Sequence, residues 1–173
     1  MTLPVYLLPG PPDPSGATAD FAFLAPMLAR RRPTTVLDLP AAAESADPDR
    51  LAERADRVLA TLPRTPFALV GHALGAAVAV AVAARSPLVE RLVLIAPGPE
   101  TLPDLTRFTA PTLLVTARDV AARDDAARRP VALPAHAHRV LLDSGAMLLE
   151  RPAEVLRYLD GFLDGVVLGP VTP

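Results

Sequence analysis

From Phe67 to Ala84 the chain carries no Asp, Glu, Lys or Arg, and glycines at 71 and 75 break the run near its start. One continuous helix of that length would approach the lower limit for spanning a bilayer. The glycines and the weakly apolar alanines and valines that follow them argue against it. A buried strand over Phe67–Val70, a tight turn, and a core helix over Ala73–Arg85 account for the same residues. We expect no membrane segment, and the opening stretch Met1–Gly10 has no basic n-region of the secretory kind. A cytoplasmic protein is the expectation.

The rest of the chain repeats that strand–helix theme. Short apolar runs at Pro4–Leu8, Thr34–Leu39, Arg91–Ile95, Thr112–Thr116 and Arg139–Leu142 read as strands. Most are continuously apolar rather than alternating, as expected when both faces of a sheet are covered. Between them, Ala- and Arg-rich stretches predict helices over Asp20–Arg31, Pro48–Leu62, Pro103–Phe108, Ala121–Arg129 and Pro152–Leu163. Asp47 before Pro48 has the chemistry of an N-cap followed by proline at the first helical position. Pro33, Pro63, Pro87 and Pro130 each follow a helical stretch and stop it. Alternation at this spacing implies βαβ units with right-handed crossovers. The expected fold class is α/β, a mostly parallel sheet of about six strands with helices on both faces. One domain over 1–165 and a loosely held tail over 166–173 complete the reading.

Composition narrows the chemistry. The chain has 173 residues, a net charge of −2 and 51% hydrophobic residues, which excludes a disordered chain and gives nucleic acid no basic surface. There is no cysteine, hence no disulfide framework, thiolate metal site or cysteine nucleophile. Lysine is absent too, which excludes a lysine Schiff base. No cofactor is expected. His136 and His138, two apart at the start of the last strand, lack a third ligand in the sequence and read as surface histidines rather than a metal site. The cations at Arg30–Arg32 end a helix, where they favour the macrodipole, and read as a solvated cluster.

The segment Phe67-Ala-Leu-Val-Gly-His-Ala-Leu-Gly-Ala-Ala-Val resembles a nucleophile elbow, in which two glycines let strand and helix meet around a sharp turn. Three further segments follow the same order. Val5-Tyr-Leu-Leu-Pro-Gly-Pro-Pro resembles the first core strand and oxyanion loop of the α/β-hydrolase superfamily, usually written Leu-Leu-His-Gly. Pro111-Thr-Leu-Leu-Val-Thr-Ala-Arg-Asp resembles the strand that delivers its acid. Leu142-Asp-Ser-Gly-Ala-Met-Leu-Leu-Glu-Arg-Pro resembles the segment that carries its histidine. Val36-Leu-Asp-Leu-Pro fits the strand between. The resemblance covers nearly the whole chain. It also implies a missing lid, because Pro97–Pro111 leaves room for only a short loop and a turn of helix.

What the resemblance implies for the site is a set of losses. Ala73 stands at the nucleophile position and Ala146, after Gly145, at the base position. The usual acid position falls on Val120, with Asp119 one residue early. The backbone N–H of Leu74 remains as one oxyanion donor, whereas the other donor position aligns with Pro11, which has no N–H. Ser→Ala and His→Ala are common laboratory choices, but Pro9, Pro11 and Val120 are not, and a naturally decayed or repurposed site explains all of them together. Candidate pocket residues are Pro9, Gly10, Pro11, His72, Ala73, Leu74, Asp119, Ala146 and Met147. Arg118, Asp143, Asp13 and Ser15 share the carboxyl edge of the sheet, where such folds bind ligands. Three functions stay open. The chain binds a small hydrophobic metabolite, with a step needing shape rather than a nucleophile; or it is an interaction protein or homodimer using an uncovered edge; or it is a hydrolase in which His72 or Asp119 activates water.

Overall fold

Strands that must be buried on both faces can only satisfy their backbone inside a sheet, and the apolar runs do so here. The computed structural model describes residues 2–10, 21–37, 48–98, 105, 108–117, 137–143 and 147–166. Among these are the strands β1 (Val5–Leu8), β2 (Thr34–Val36), β3 (Phe67–His72), β4 (Val89–Ile95), β5 (Thr112–Ala117) and β6 (Ala137–Leu142). They form one sheet in the order β2-β1-β3-β4-β5-β6, every pair parallel. The α/β class and the parallel sheet expected from the sequence are therefore present.

Successive side chains of the central strands feed two separate cores. Val5, Leu7, Ala68, Val70, Val93, Ile95, Leu113 and Val115 face one layer. Leu8, Phe67, Leu69, Leu92, Leu94 and Leu114 face the other. The first layer is closed by helices α1 (Leu24–Ala29) and α5 (Pro152–Leu163), with the short α4 (Met147–Glu150) beside α5. The second is closed by α2 (Pro48–Thr61) and α3 (Leu74–Ala83). Helix α3 is apolar all round because it is covered by the sheet on one side and α2 on the other. No helix among the described residues is long and apolar enough to cross a membrane.

The start of α1 differs from the sequence reading for a local reason, whereas α5 has the expected bounds Pro152–Leu163 and is preceded by the short α4, which lies outside the expected helices. Helix α1 starts at Leu24 rather than Asp20, which lies outside the described residues. Pro26 has no N–H to bond Ala22, so it is tolerated only within the first turn. Arg151 separates α4 from α5, at φ −133° and ψ 44°. It precedes Pro152, whose ring disfavours helical geometry in the residue before it. Of the expected helices, Ala121–Arg129 and all of Pro103–Phe108 except Leu105 and Phe108 lie outside the described residues.

The reading of Arg30–Arg32 as a solvated cluster is corrected by the packing of α1 against α5. Arg32 is 4% exposed. Its Nη2 donates to Asp160 Oδ1 at 3.2 Å and to Asp164 Oδ1 at 2.8 Å. Arg31 Nη1 donates to Asp160 Oδ2 at 2.8 Å. That hydrogen bond, then the charges of Asp160 and Asp164, hold the exposed Arg31 guanidinium above its ordinary pKa. Arg32 Nε and Nη1 are buried with no hydrogen-bond partner. The two acids of α5 are spaced one helical turn apart, which puts both on the α1 side.

Candidate functional site

The topology marks one place for a ligand. From β1 the chain crosses to β2 on one side, whereas β3 leads to β4 on the other, so the direction reverses between β1 and β3. In open parallel sheets the crevice beyond the carboxyl ends at such a reversal is where ligands bind. Leu8 and Gly71 are partners there. Beyond Leu8 come Pro9 and Gly10, both half-buried, and beyond Gly71 come His72, Ala73 and Leu74, also half-buried.

The turn from β3 into α3 is as tight as its glycines allow. A Cβ on Gly71 would lie 2.4 Å from the Gly75 carbonyl oxygen and 2.5 Å from the Ala76 Cα. A Cβ on Gly75 would lie 2.1 Å from the Leu8 oxygen and 2.5 Å from the Pro9 oxygen. Each glycine thus permits one contact: the first lets the helix fold back on its strand, and the second lets it touch the end of β1. Between them Ala73 is forced to φ 48° and ψ −118°. Its N–H donates to the Ile95 carbonyl at 3.0 Å, and its own carbonyl accepts from Ala76 N–H at 3.0 Å. Leu74 opens the helix, so the helix supplies no acceptor for its N–H, which sits at the positive end of the macrodipole.

Holding an L-residue in this region costs of order 1–3 kcal/mol. Glycine adopts it freely but loses more entropy on folding. Ala73→Gly is therefore expected to stabilise the chain by about 1 kcal/mol, raising the thermal midpoint by roughly 2–4 °C. A lower midpoint in a calorimetric melt would show that the turn stores no strain.

Around the turn, the structure brings some sequence candidates together and not others. The His72 imidazole meets the buried Phe21 ring edge-on, with centroids 6.3 Å apart. Pro9, Gly10, His72, Ala73 and Leu74 cluster at the reversal point. Met147, by contrast, is 1% exposed and packs within the core beneath α1 and α5. Pro11, Asp119, Val120 and Ala146 lie outside the described residues, as do Asp13, Ser15, Arg118 and His136. Asp143 follows β6 at the same edge. His138 is half-buried, its ring 6.3 Å from that of Phe162. No cluster of three metal-ligating side chains occurs among the described residues. Sequence reasoning missed Ala96, at φ 45° directly after β4. Only the following Pro97-Gly98 marks a turn there, and nothing about an alanine signals positive φ.

A family model described as alpha/beta hydrolase fold matches residues 4–169. Solved structures with a similar fold include NosK from Streptomyces actuosus, at 20% identity and a TM-score of 0.71, covering 96% of this chain and 99% of that one. A meta-cleavage product hydrolase from Pseudomonas fluorescens, solved as a serine-to-alanine mutant complexed with acetates, is 15% identical with a TM-score of 0.69, covering 94% and 91%. A lipase-esterase related protein from Clostridium acetobutylicum is 14% identical with a TM-score of 0.66, covering 91% and 93%. Comparison with curated proteins finds no match.

Proposed function

The chain belongs to the α/β hydrolase fold family, and on that footing we propose that it binds a small hydrophobic metabolite without hydrolysing it through a serine triad. The observation that carries this reading is the turn at Ala73. The strand, the two close-approach glycines and the strained backbone of a nucleophile elbow are retained, yet the side chain they present is a methyl group. A methyl cannot attack a carbonyl, and Ala146 brings no imidazole to the base position. Acyl transfer by the usual route therefore lacks both its nucleophile and its base. What remains is a shaped edge with a helix N-terminus, suited to binding or to a step such as cyclisation, isomerisation or elimination. The serine-to-alanine mutant of the similar meta-cleavage product hydrolase takes acetates, which makes small carboxylates the first ligands to try. In this reading the protein works in the cytoplasm and needs no cofactor.

Short-chain nitrophenyl esters test it. The wild-type chain is expected to show no turnover above buffer. The double variant Ala73→Ser with Ala146→His is expected to stay far below a working esterase, because Pro11 supplies no N–H and one lost oxyanion donor costs roughly a hundred- to a thousandfold. Ester turnover by the wild type that vanishes in His72→Ala would overturn the proposal in favour of displaced catalytic groups.

A second reading draws on Phe23 and Leu149, which are 59% and 50% exposed. Phe23 is the N-cap of α1, two residues after Phe21, and Leu149 lies on α4 just beyond β6, so both sit toward the carboxyl edge. Apolar side chains there suit a protein partner or a second copy of the chain. A dimer that dissociates in Phe23→Ser with Leu149→Ser would favour it.

A further inference from the structure

Helix α1 breaks a rule that α3 obeys. From Phe21 to Ala29 the chain reads Phe-Ala-Phe-Leu-Ala-Pro-Met-Leu-Ala, without one polar side chain. A helix apolar all round belongs in an interior, and α3 lies in one, between the sheet and α2. In α1 only one side is covered. Phe21, Leu24 and Leu28 are buried, whereas Ala22, Phe23, Pro26, Met27 and Ala29 are exposed, Phe23 at 59% and Met27 at 37%. Contiguous apolar surface of this kind marks an interaction site. Phe23 at the N-cap and Arg30 at the C-cap both have helical dihedral angles. At about 3.6 residues per turn, Phe23, Pro26, Met27 and Arg30 therefore share the outward face. Arg31 and Arg32 turn away to the acids of α5, while Arg30, which is exposed, has no ion pair among the described residues.

This outward face is its own complement. Phe23 and Arg30 stand equally far from its midpoint between Pro26 and Met27, and about 10.5 Å from each other along the helix axis. A two-fold axis through that midpoint lays two copies of α1 antiparallel. Pro26 and Met27 of both copies then meet at the axis, and each Phe23 ring meets the partner's Arg30. Such an isologous contact satisfies both ends at once, and a guanidinium over a phenyl ring is attractive. We propose that α1 joins two copies of this chain in a two-fold dimer, Phe23 of each copy stacking on the partner's Arg30. This rests on the second reading above and names its partner. An anionic membrane, which also takes apolar and cationic side chains together, is disfavoured by the net charge of −2. Four side chains a copy fall well short of the roughly 20–30 residues a side of a standard interface, so the dimer is a weak one that forms at high protein concentration.

Sedimentation equilibrium of the full chain, at protein concentrations from about 10 μM to about 1 mM, tests the proposal. The samples are wild type, Phe23→Arg, Leu149→Ser, and the double swap Phe23→Arg with Arg30→Phe. All three positions are exposed, so the variants are expected to melt with wild type. Wild type is expected to pass from monomer to dimer within the range. Phe23→Arg sets arginine against arginine twice in each dimer and is expected to weaken association roughly tenfold or more. The double swap restores both stacks with the roles exchanged, and its association is expected to return to within about threefold of wild type. Wild type that stays monomeric overturns the inference, and pelleting of that monomer with phosphatidylglycerol vesicles would assign the face to a membrane. A dimer that survives Phe23→Arg also overturns it. Loss of that same dimer in Leu149→Ser would still uphold the second reading, whereas its survival there sinks both. A dimer lost in Phe23→Arg and not regained in the double swap overturns the two-fold pairing of Phe23 with Arg30.

Discussion

Gly75→Ala is expected to destabilise the fold severely. The added carbon would sit 2.1 Å from the Leu8 oxygen, 2.5 Å from the Pro9 oxygen and 2.7 Å from the Leu8 carbonyl carbon, all backbone atoms. No rotamer relieves such a clash. Either α3 lifts off the end of β1, or β1 shifts out of register with both β2 and β3, between which it lies. Both routes disrupt a fully buried layer, and the expected loss is about 4 kcal/mol or more, in the range reserved for named core or strain mechanisms. For a chain of this size that lowers the thermal midpoint by on the order of 10 °C. Gly71→Ala should do comparable damage, because its Cβ would meet the Gly75 oxygen at 2.4 Å. A Gly75→Ala chain melting within about 2 °C of wild type would show that strand and helix are not in the contact described.

Asp160→Ala is the second large effect. Arg32 is buried, and Asp160 is the less exposed of its two acids, with side-chain exposures of 11% for Asp160 and 44% for Asp164. Removing Asp160 leaves a guanidinium out of water with one partly solvated partner, and breaking buried pairs in this way costs about 3–5 kcal/mol. Asp164→Ala should cost far less, since water reaches that carboxylate. Replacing both members, as in Arg32→Met with Asp160→Leu, removes the stranded charge and should recover much of the loss. Denaturant midpoints for the three variants check the order. If Asp160→Ala costs no more than Asp164→Ala, the bridge is not the buried interaction that its geometry implies.

How far the sequence disclosed this molecule depended on what each residue type can signal. Continuous apolar runs marked the central strands because burial on both faces leaves no other composition, whereas the edge strand β2, Thr-Thr-Val and mostly exposed, was marked by its β-branched residues. The bounds slipped where polarity or glycine intervened. Glu90, exposed on β4, hid the start of that strand. Gly71 looked like the end of β3, yet the strand runs through it to His72, because its missing side chain serves the helix behind rather than a turn. The elbow itself was legible from the spacing of its glycines. Arg32 was not, since a cation at a helix end looks solvated until the partner helix, distant in sequence, is packed against it. Ala96 was silent for a different reason: strain belongs to the backbone, and alanine is compatible with every ordinary conformation.

The bridge between α1 and α5 also bears on how the chain is made. Arg32 emerges from the ribosome 128 residues ahead of Asp160. At ordinary elongation rates that interval is roughly ten seconds. In the course of it the growing polypeptide adds Val70, Val93, Ile95, Leu113 and Val115, one after another, before the helix that finally covers their layer is made. Closure waits on a late, long-range docking event, the kind that slows folding and gives chaperones time to engage a nascent chain.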